Sequence, residues 1–140
     1  MAEKEYELLE HTADIGIRVR ANNINELFKN TASAMFQILA EPKGPMTHAA
    51  EEVPVNLNAG NPEQLFVNWL NELLSLSAAK ELIFFDFKIK TLENNRLEAL
   101  VFGRPLENFQ INTEIKAATY HELKLEKTES GWLAEVIFDV

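Results

Sequence analysis

The amino-acid sequence predicts an α+β fold, with two helices packed on a largely antiparallel sheet. Three observations carry this expectation. Two early stretches repeat apolar side chains at helical spacing, and each is opened by an asparagine, Asn23 and Asn61. Much of the rest alternates apolar and polar residues, the pattern of half-buried strands. The E-N-N at 93–95 separates two such alternating runs, as a hairpin turn does. With 140 residues, 46% hydrophobic and 25% charged, the chain suits one domain over residues 1–140 with one core.

Tyr6 to Glu10 reads as a short first strand. From Ile15 the alternation is clean: Ile15, Ile17 and Val19 point one way, and Gly16, Arg18 and Arg20 the other. Asn23 then caps a helix, with Glu26 three residues on as a capping box requires. Leu27, Thr31, Ala34, Met35, Ile38 and Leu39 recur along its inner face. The helix stops before Pro42, and E-P-K-G-P is expected as loop. Residues 48–57 alternate through Val53, Val55 and Leu57, and Pro54 favours an edge position. Asn61 caps the second helix, Pro62 suits its first position and Gln64 completes the box. Leu65, Phe66, Trp69, Leu70, Leu73 and Leu74 form its apolar face, each worth about 1.5–3 kcal/mol on burial.

Past Lys80 the chain turns to strands. I-F-F-D-F-K-I-K-T-L and R-L-E-A-L-V-F-G flank the hairpin turn, R-P-L-E-N-F-Q is irregular, and residues 113–125 alternate again. In that run Ile115, Ala117, Thr119, Leu123 and Leu125 share one parity. K-T-E-S-G turns into the closing strand W-L-A-E-V-I-F-D-V. No internal repeat or low-complexity tract interrupts the chain.

Composition excludes several function classes. Acidic residues number 22 against 13 basic ones, a net charge of −9, which argues against direct nucleic-acid binding because phosphates need a basic face. Acidity suits a basic partner or a cation, and aids solubility. There is no cysteine, so disulfides, thiolate zinc sites, iron–sulfur clusters and cysteine nucleophiles are out. The opening M-A-E-K-E-Y-E lacks a signal-peptide core, and no apolar run approaches the roughly 20 residues of a membrane span. A cytoplasmic location is the expectation. Ser33, Ser75, Ser77 and Ser130 sit in helices or a turn without a nucleophile-elbow pattern. Neither glycine-rich phosphate motif occurs, and 5 glycines are too few for a cradle of backbone amides. Trp69 and the phenylalanines read as core.

The residues suited to chemistry lie near the two ends. Asp14 has the parity of Gly16 and Arg18, off the apolar face. Asp139 has the parity of Glu135, opposite Val136, Phe138 and Val140. If the Ile15 strand and the last strand are antiparallel neighbours, the start of one meets the end of the other. Asp14, Asp139 and the α-carboxylate of Val140 then converge. Carboxylates so gathered call for a hard cation, Ca²⁺ or, with stricter geometry, Mg²⁺. The simpler alternative makes Asp14 an Asx-turn former and Asp139 a solvated end residue. The residues alone leave both open, the simpler one ahead. His11 and His121 are further candidate ligands, but no close histidine pair supports zinc. Lys116, in K-A-A-T-Y-H, is a solvated lysine or a cation offered to a partner or a phosphate.

Three motifs add to this reading. H-T-A-D-I-G-I near the start, K-A-A-T-Y-H-E-L late and F-D-V at the end closely resemble the archease family, over essentially the whole chain. The resemblance implies a strand-helix-strand-strand module elaborated into a single α+β domain. It implies a protein cofactor, not an enzyme: archeases promote guanylylation and multiple turnover of the RtcB-type RNA ligase that seals tRNA halves. RNA is then met only indirectly, through the ligase. An earlier proposal for the family is a chaperone or specificity modulator of RNA methyltransferases; a small metal-dependent hydrolase ranks third. By the same resemblance Asp14, Asp139 and Val140 hold the metal, and Lys116 is functional. This favours the cation reading of Asp14 over the turn-former reading.

Overall fold

The computed structural model describes residues 6–10, 13–46 and 49–140. In chain order these form β1 (Tyr6–Leu9), β2 (Ile15–Ala21), α1 (Ile24–Leu39), β3 (Ala40–Pro42), β4 (Glu51–Asn58) and α2 (Pro62–Lys80). There follow β5 (Leu82–Glu93), β6 (Arg96–Pro105), a 3-10 turn (Leu106–Asn108), β7 (Phe109–Ile111), β8 (Ala117–Ala118), β9 (Lys124–Thr128) and β10 (Gly131–Asp139).

Both helices start where side-chain capping starts them. The Glu26 N–H donates to Asn23 Oδ1 at 2.9 Å, and the Gln64 N–H to Asn61 Oδ1 at 2.8 Å. Each satisfies a backbone donor that the first helical turn leaves without a partner. Gln64 Oε1 reaches back to the Gly60 N–H at 2.6 Å, one residue beyond the cap that a capping box would engage. α1 buries Leu27, Phe28, Thr31, Ala34, Met35 and Leu39, while Ile38 is half-buried. The Thr31 hydroxyl donates to the Leu27 carbonyl at 2.7 Å, so this buried polar group is satisfied. α2 ends on Glu81, which takes the left-handed conformation (φ 55°, ψ 47°) and donates its N–H to the Ser77 carbonyl.

Every described strand pair is antiparallel. One sheet runs β1-β2-β10, and the far edge of β10 is shared by β9 along its first half and β8 along its last residues. The second sheet runs β4-β6-β5, and β3 pairs with β7 in a separate ribbon. β4, α2, β5 and β6 make the strand-helix-strand-strand unit that the resemblance implies. The β5–β6 hairpin turns at Asn94 and Asn95, both at positive φ (53° and 59°), where asparagine is tolerated better than most residues. β4 is an edge strand, as Pro54 requires.

The two helices supply one continuous core with both sheets. α1 lies against β2, β5 and β10, and α2 against β4, β5 and β8. Trp69, fully buried, donates its indole N–H to the Phe28 carbonyl at 2.9 Å and so ties α2 to α1. Phe28 meets Phe66 edge-on at 5.1 Å between ring centroids, and Trp69 meets Phe87 at 6.2 Å. Such aromatic pairs add about 0.5–1.5 kcal/mol beyond burial.

Four expectations need correction. Residues 113–125 are not one strand: only Ala117–Ala118 and, from Lys124, β9 are paired, with a turn between. Ala118 is buried there and Ala117 half-buried. Glu41 and Pro42 are strand rather than loop, because β7 offers β3 a partner from far along the chain. R-P-L-E-N-F-Q is irregular only over Leu106–Asn108, its flanks belonging to β6 and β7. Phe85 is not core. A register shift between Phe84 and Asp86 turns it outward, 41% exposed, with the Arg104 guanidinium 4.2 Å from its ring centroid.

Candidate functional site

β2 and β10 are antiparallel neighbours over their whole length, with Ile15 opposite Phe138 at one end and Ala21 opposite Trp132 at the other. The pairing ends at Ile15 and Phe138, so Asp14, in the bend before β2, and Asp139 each adjoin its last pair. Ile17, Val19, Val136 and Phe138 fill the buried face of the pair. Asp139, next to Phe138, therefore falls on the other side. Asp14 is half-buried, and Asp139 and Val140 are exposed.

A third strand end reaches the same place. The Lys116 N–H donates to the Asp139 carbonyl at 2.8 Å, and Ala117 pairs with Asp139. Lys116 itself is exposed and lies just before β8, not within a strand as its alternation suggests. Beyond β8, Thr119 holds the Ile137 carbonyl twice, by its N–H at 3.0 Å and its hydroxyl at 2.8 Å. That pattern turns the Ala118 N–H and carbonyl away from β10. Both groups are taken by Asn71 of α2: its Oδ1 accepts from the Ala118 N–H at 2.8 Å, and its Nδ2 donates to the Ala118 carbonyl at 3.1 Å. One side-chain amide thus stands in for a neighbouring strand. Sequence reasoning missed Asn71, which the sequence shows only as one of several polar residues along α2, beside Leu70.

The polar face extends from the aspartates along β2 and β10. Arg18 Nε lies 2.7 Å from Glu135 Oε2, its cross-strand partner, and Arg18 Nη1 lies 3.3 Å from Glu7. Arg20 Nη1 lies 2.6 Å from the other Glu7 oxygen. The hydrogen bond to Glu135, with the charges of Glu135 and Glu7, holds the Arg18 guanidinium above its ordinary pKa. Arg18 and Arg20 of this face are thus committed to Glu7 and Glu135.

The histidines are placed less fully. His11 lies outside the described residues. His121 is exposed, in a turn closed by the Leu123 N–H to the Tyr120 carbonyl at 3.2 Å, with Glu122 at positive φ (51°). Its own N–H donates to Thr119 Oγ1 at 3.3 Å. Among the described residues no three His, Cys, Asp or Glu side chains gather closely enough to hold a metal ion. The pair Asp14 and Asp139 is a hard, all-oxygen donor set. It fits a cation that completes its shell with carbonyl, terminal carboxylate and water oxygens, as Ca²⁺ does, better than one needing imidazole or thiolate. No described helix is long and apolar enough to cross a membrane.

Comparison with known proteins covers the whole of this geometry. The sequence profile of the archease protein family (MTH1598/TM1083) matches residues 6–140. Protein archease of Methanosarcina acetivorans is 38% identical, the match covering 98% of this chain and 97% of the relative. Protein archease of Pyrococcus abyssi is 35% identical over 98% of this chain and 99% of its own. Among solved structures, protein 1598 of Methanobacterium thermoautotrophicum superposes with a TM-score of 0.74 at 24% identity, over 99% of this chain and 100% of that one. A crystal structure from Thermotoga maritima, described as an archease and possible chaperone, superposes with a TM-score of 0.66 at 27% identity, over 94% of each chain.

Proposed function

This chain belongs to the archease family, and from that premise we propose that it is a non-enzymatic protein cofactor of the RtcB-type RNA ligase in tRNA splicing. It promotes the GTP-dependent guanylylation of the ligase and its multiple turnover, and meets RNA only through the ligase, in the cytoplasm. The observation that supports a site for this role is the meeting of three strand ends, with Asp14 and Asp139 adjoining the last β2–β10 pair, Ile15 and Phe138, and the Lys116 N–H bonded to the Asp139 carbonyl. In this reading Asp14, Asp139 and the Val140 α-carboxylate hold one divalent cation, Ca²⁺ in preference to Mg²⁺. An ion held by these carboxylates would offset their mutual repulsion and supply a hard positive charge at the strand ends.

The chain's own residues do the rest. Asn71 fixes β8, β8 fixes the Lys116 backbone against Asp139, and the Lys116 side chain is left exposed as a cation for the partner. His121, exposed on the turn after β8, belongs to the same partner-facing edge, and His11, outside the described residues, is the other histidine proposed to meet the partner. A cofactor raises turnover only by preferring one state of its partner; equal affinity for all states shifts nothing.

Guanylylation and multiple-turnover sealing by the matching ligase, measured with and without this protein, test the proposal. A rise in both supports it, and no change in either refutes it. Calorimetry with Ca²⁺ tests the ion separately: Asp14→Ala should bind it at least about tenfold more weakly. The description of the Thermotoga maritima relative as a possible chaperone favours a second reading, a chaperone or specificity modulator of an RNA methyltransferase. Capture of a methyltransferase in place of the ligase would select it.

A further inference from the structure

Two of the exposed large apolar residues, Leu106 and Ile111, flank one groove, whose lining runs up to Ile115, next to Lys116. The groove encloses about 290 Å³ between the ends of α1 and α2, with Ile83 and Ile115 among its apolar lining. Leu106 is 38% exposed and Ile111 45% exposed. The lining includes two carboxylates, Glu81 and Glu114, and neither lysine nor arginine. Both walls are tied down by backbone bonds. The Leu106 N–H donates to the Glu81 carbonyl at 2.9 Å, and the Asn112 N–H donates to the Leu39 carbonyl at 2.9 Å. A groove held by helix ends is formed before anything enters it, which reduces the ordering cost of binding.

We propose that this groove is a docking site for a protein segment presenting two apolar side chains flanked by lysine or arginine. The apolar lining and its volume suit a pair of aliphatic side chains. The Glu81 and Glu114 carboxylates, on a chain of net charge −9, select the flanking basic residues and repel acidic ones. Exposed apolar side chains gathered at one place mark contact surfaces, whereas scattered ones do not. The inference deepens the cofactor reading by assigning a surface on which the partner sits, and it rests on that reading only for the partner's identity.

The test uses a labelled, acetylated 14-residue peptide of lysines with leucines at helical spacing, and, in a second arm, the matching ligase. Ile111→Glu and Leu106→Glu are each expected to weaken peptide binding by about tenfold or more. Each variant adds a negative charge, so attraction by charge alone predicts equal or tighter binding, and that result overturns the proposal. Both positions are partly exposed, and unchanged circular dichroism establishes that the variants fold. In labelled wild-type protein the peptide should shift amides near Leu106, Ile111 and Ile115; shifts clustered elsewhere overturn it, as does self-association abolished by Ile111→Glu. If the wild type fails to bind the ligase while the peptide result holds, the cofactor reading fails and the groove stands. If the ligase binds wild type and Ile111→Glu equally, the groove fails and the cofactor reading stands.

Discussion

Replacing Asn71 by alanine should loosen β8 and, through it, the end of β10. The structure sets the magnitude. Asn71 makes two hydrogen bonds to one peptide, at 2.8 Å from the Ala118 N–H and 3.1 Å to the Ala118 carbonyl. Each such bond is worth about 0.5–1.5 kcal/mol net, and a fully buried orphaned group would cost more. Asn71 is half-buried, so water reaches part of the vacated space. The expected loss is about 1.5 kcal/mol, which for a domain of this size lowers the melting temperature by about 5 °C. Urea denaturation measures the loss, and hydrogen exchange locates it: the Ala118 amide should exchange faster while the β5–β6 hairpin keeps its protection. Asn71→Asp sharpens the test. An aspartate can still accept from the Ala118 N–H, but at neutral pH it sets a carboxylate oxygen against the Ala118 carbonyl. It should cost at least as much as alanine. A loss below about 0.5 kcal/mol in both variants, with unchanged exchange at Ala118, would refute the clamp.

Other perturbations have equally definite outcomes. Gly131 sits at φ +155°, and a Cβ there would lie 2.1 Å from the Ala21 carbonyl oxygen. Gly131→Ala should cost about 2 kcal/mol or more by denaturation, since backbone must move on both strands. Trp69→Phe removes the donor to the Phe28 carbonyl and leaves a void between the helices, for a loss of about 2–3 kcal/mol in the same assay. Glu81→Gly relieves a left-handed residue at the end of α2 and should stabilise by about 0.5–1 kcal/mol, seen as a higher urea midpoint. Asp139→Asn, at the proposed cation site, should weaken Ca²⁺ binding in calorimetry without lowering the melting temperature.

The legible parts of the fold were those with local causes. Asn23 and Asn61 announced both helices because capping acts within three residues, and those bonds are present. Alternation at Ile15–Val19 and Val136–Val140 gave strand parity, and parity alone put Asp14 and Asp139 off the core face. That both adjoin one end of the ladder followed once β2 and β10 paired. What stayed hidden depends on partners distant in sequence. The run 113–125 alternates like a strand, yet its ladder on β10 gives way after Thr119 to a turn with Glu122 at positive φ, and Asn71, 47 residues away, takes the outward Ala118 backbone groups. Glu41 and Pro42 become strand only because β7 comes alongside. Phe85 left the core through a register shift, which composition and spacing do not encode.

The central claim is that this archease acts on its ligase through the strand ends carrying Asp14 and Asp139. The most direct measurement is ligase guanylylation in the presence of wild-type protein or of the Asp14→Asn, Asp139→Asn double variant, at equal concentration and with both proteins shown to be folded. The account predicts stimulation by the wild type and a rate with the variant close to that of the ligase alone. Equal stimulation by both would contradict it.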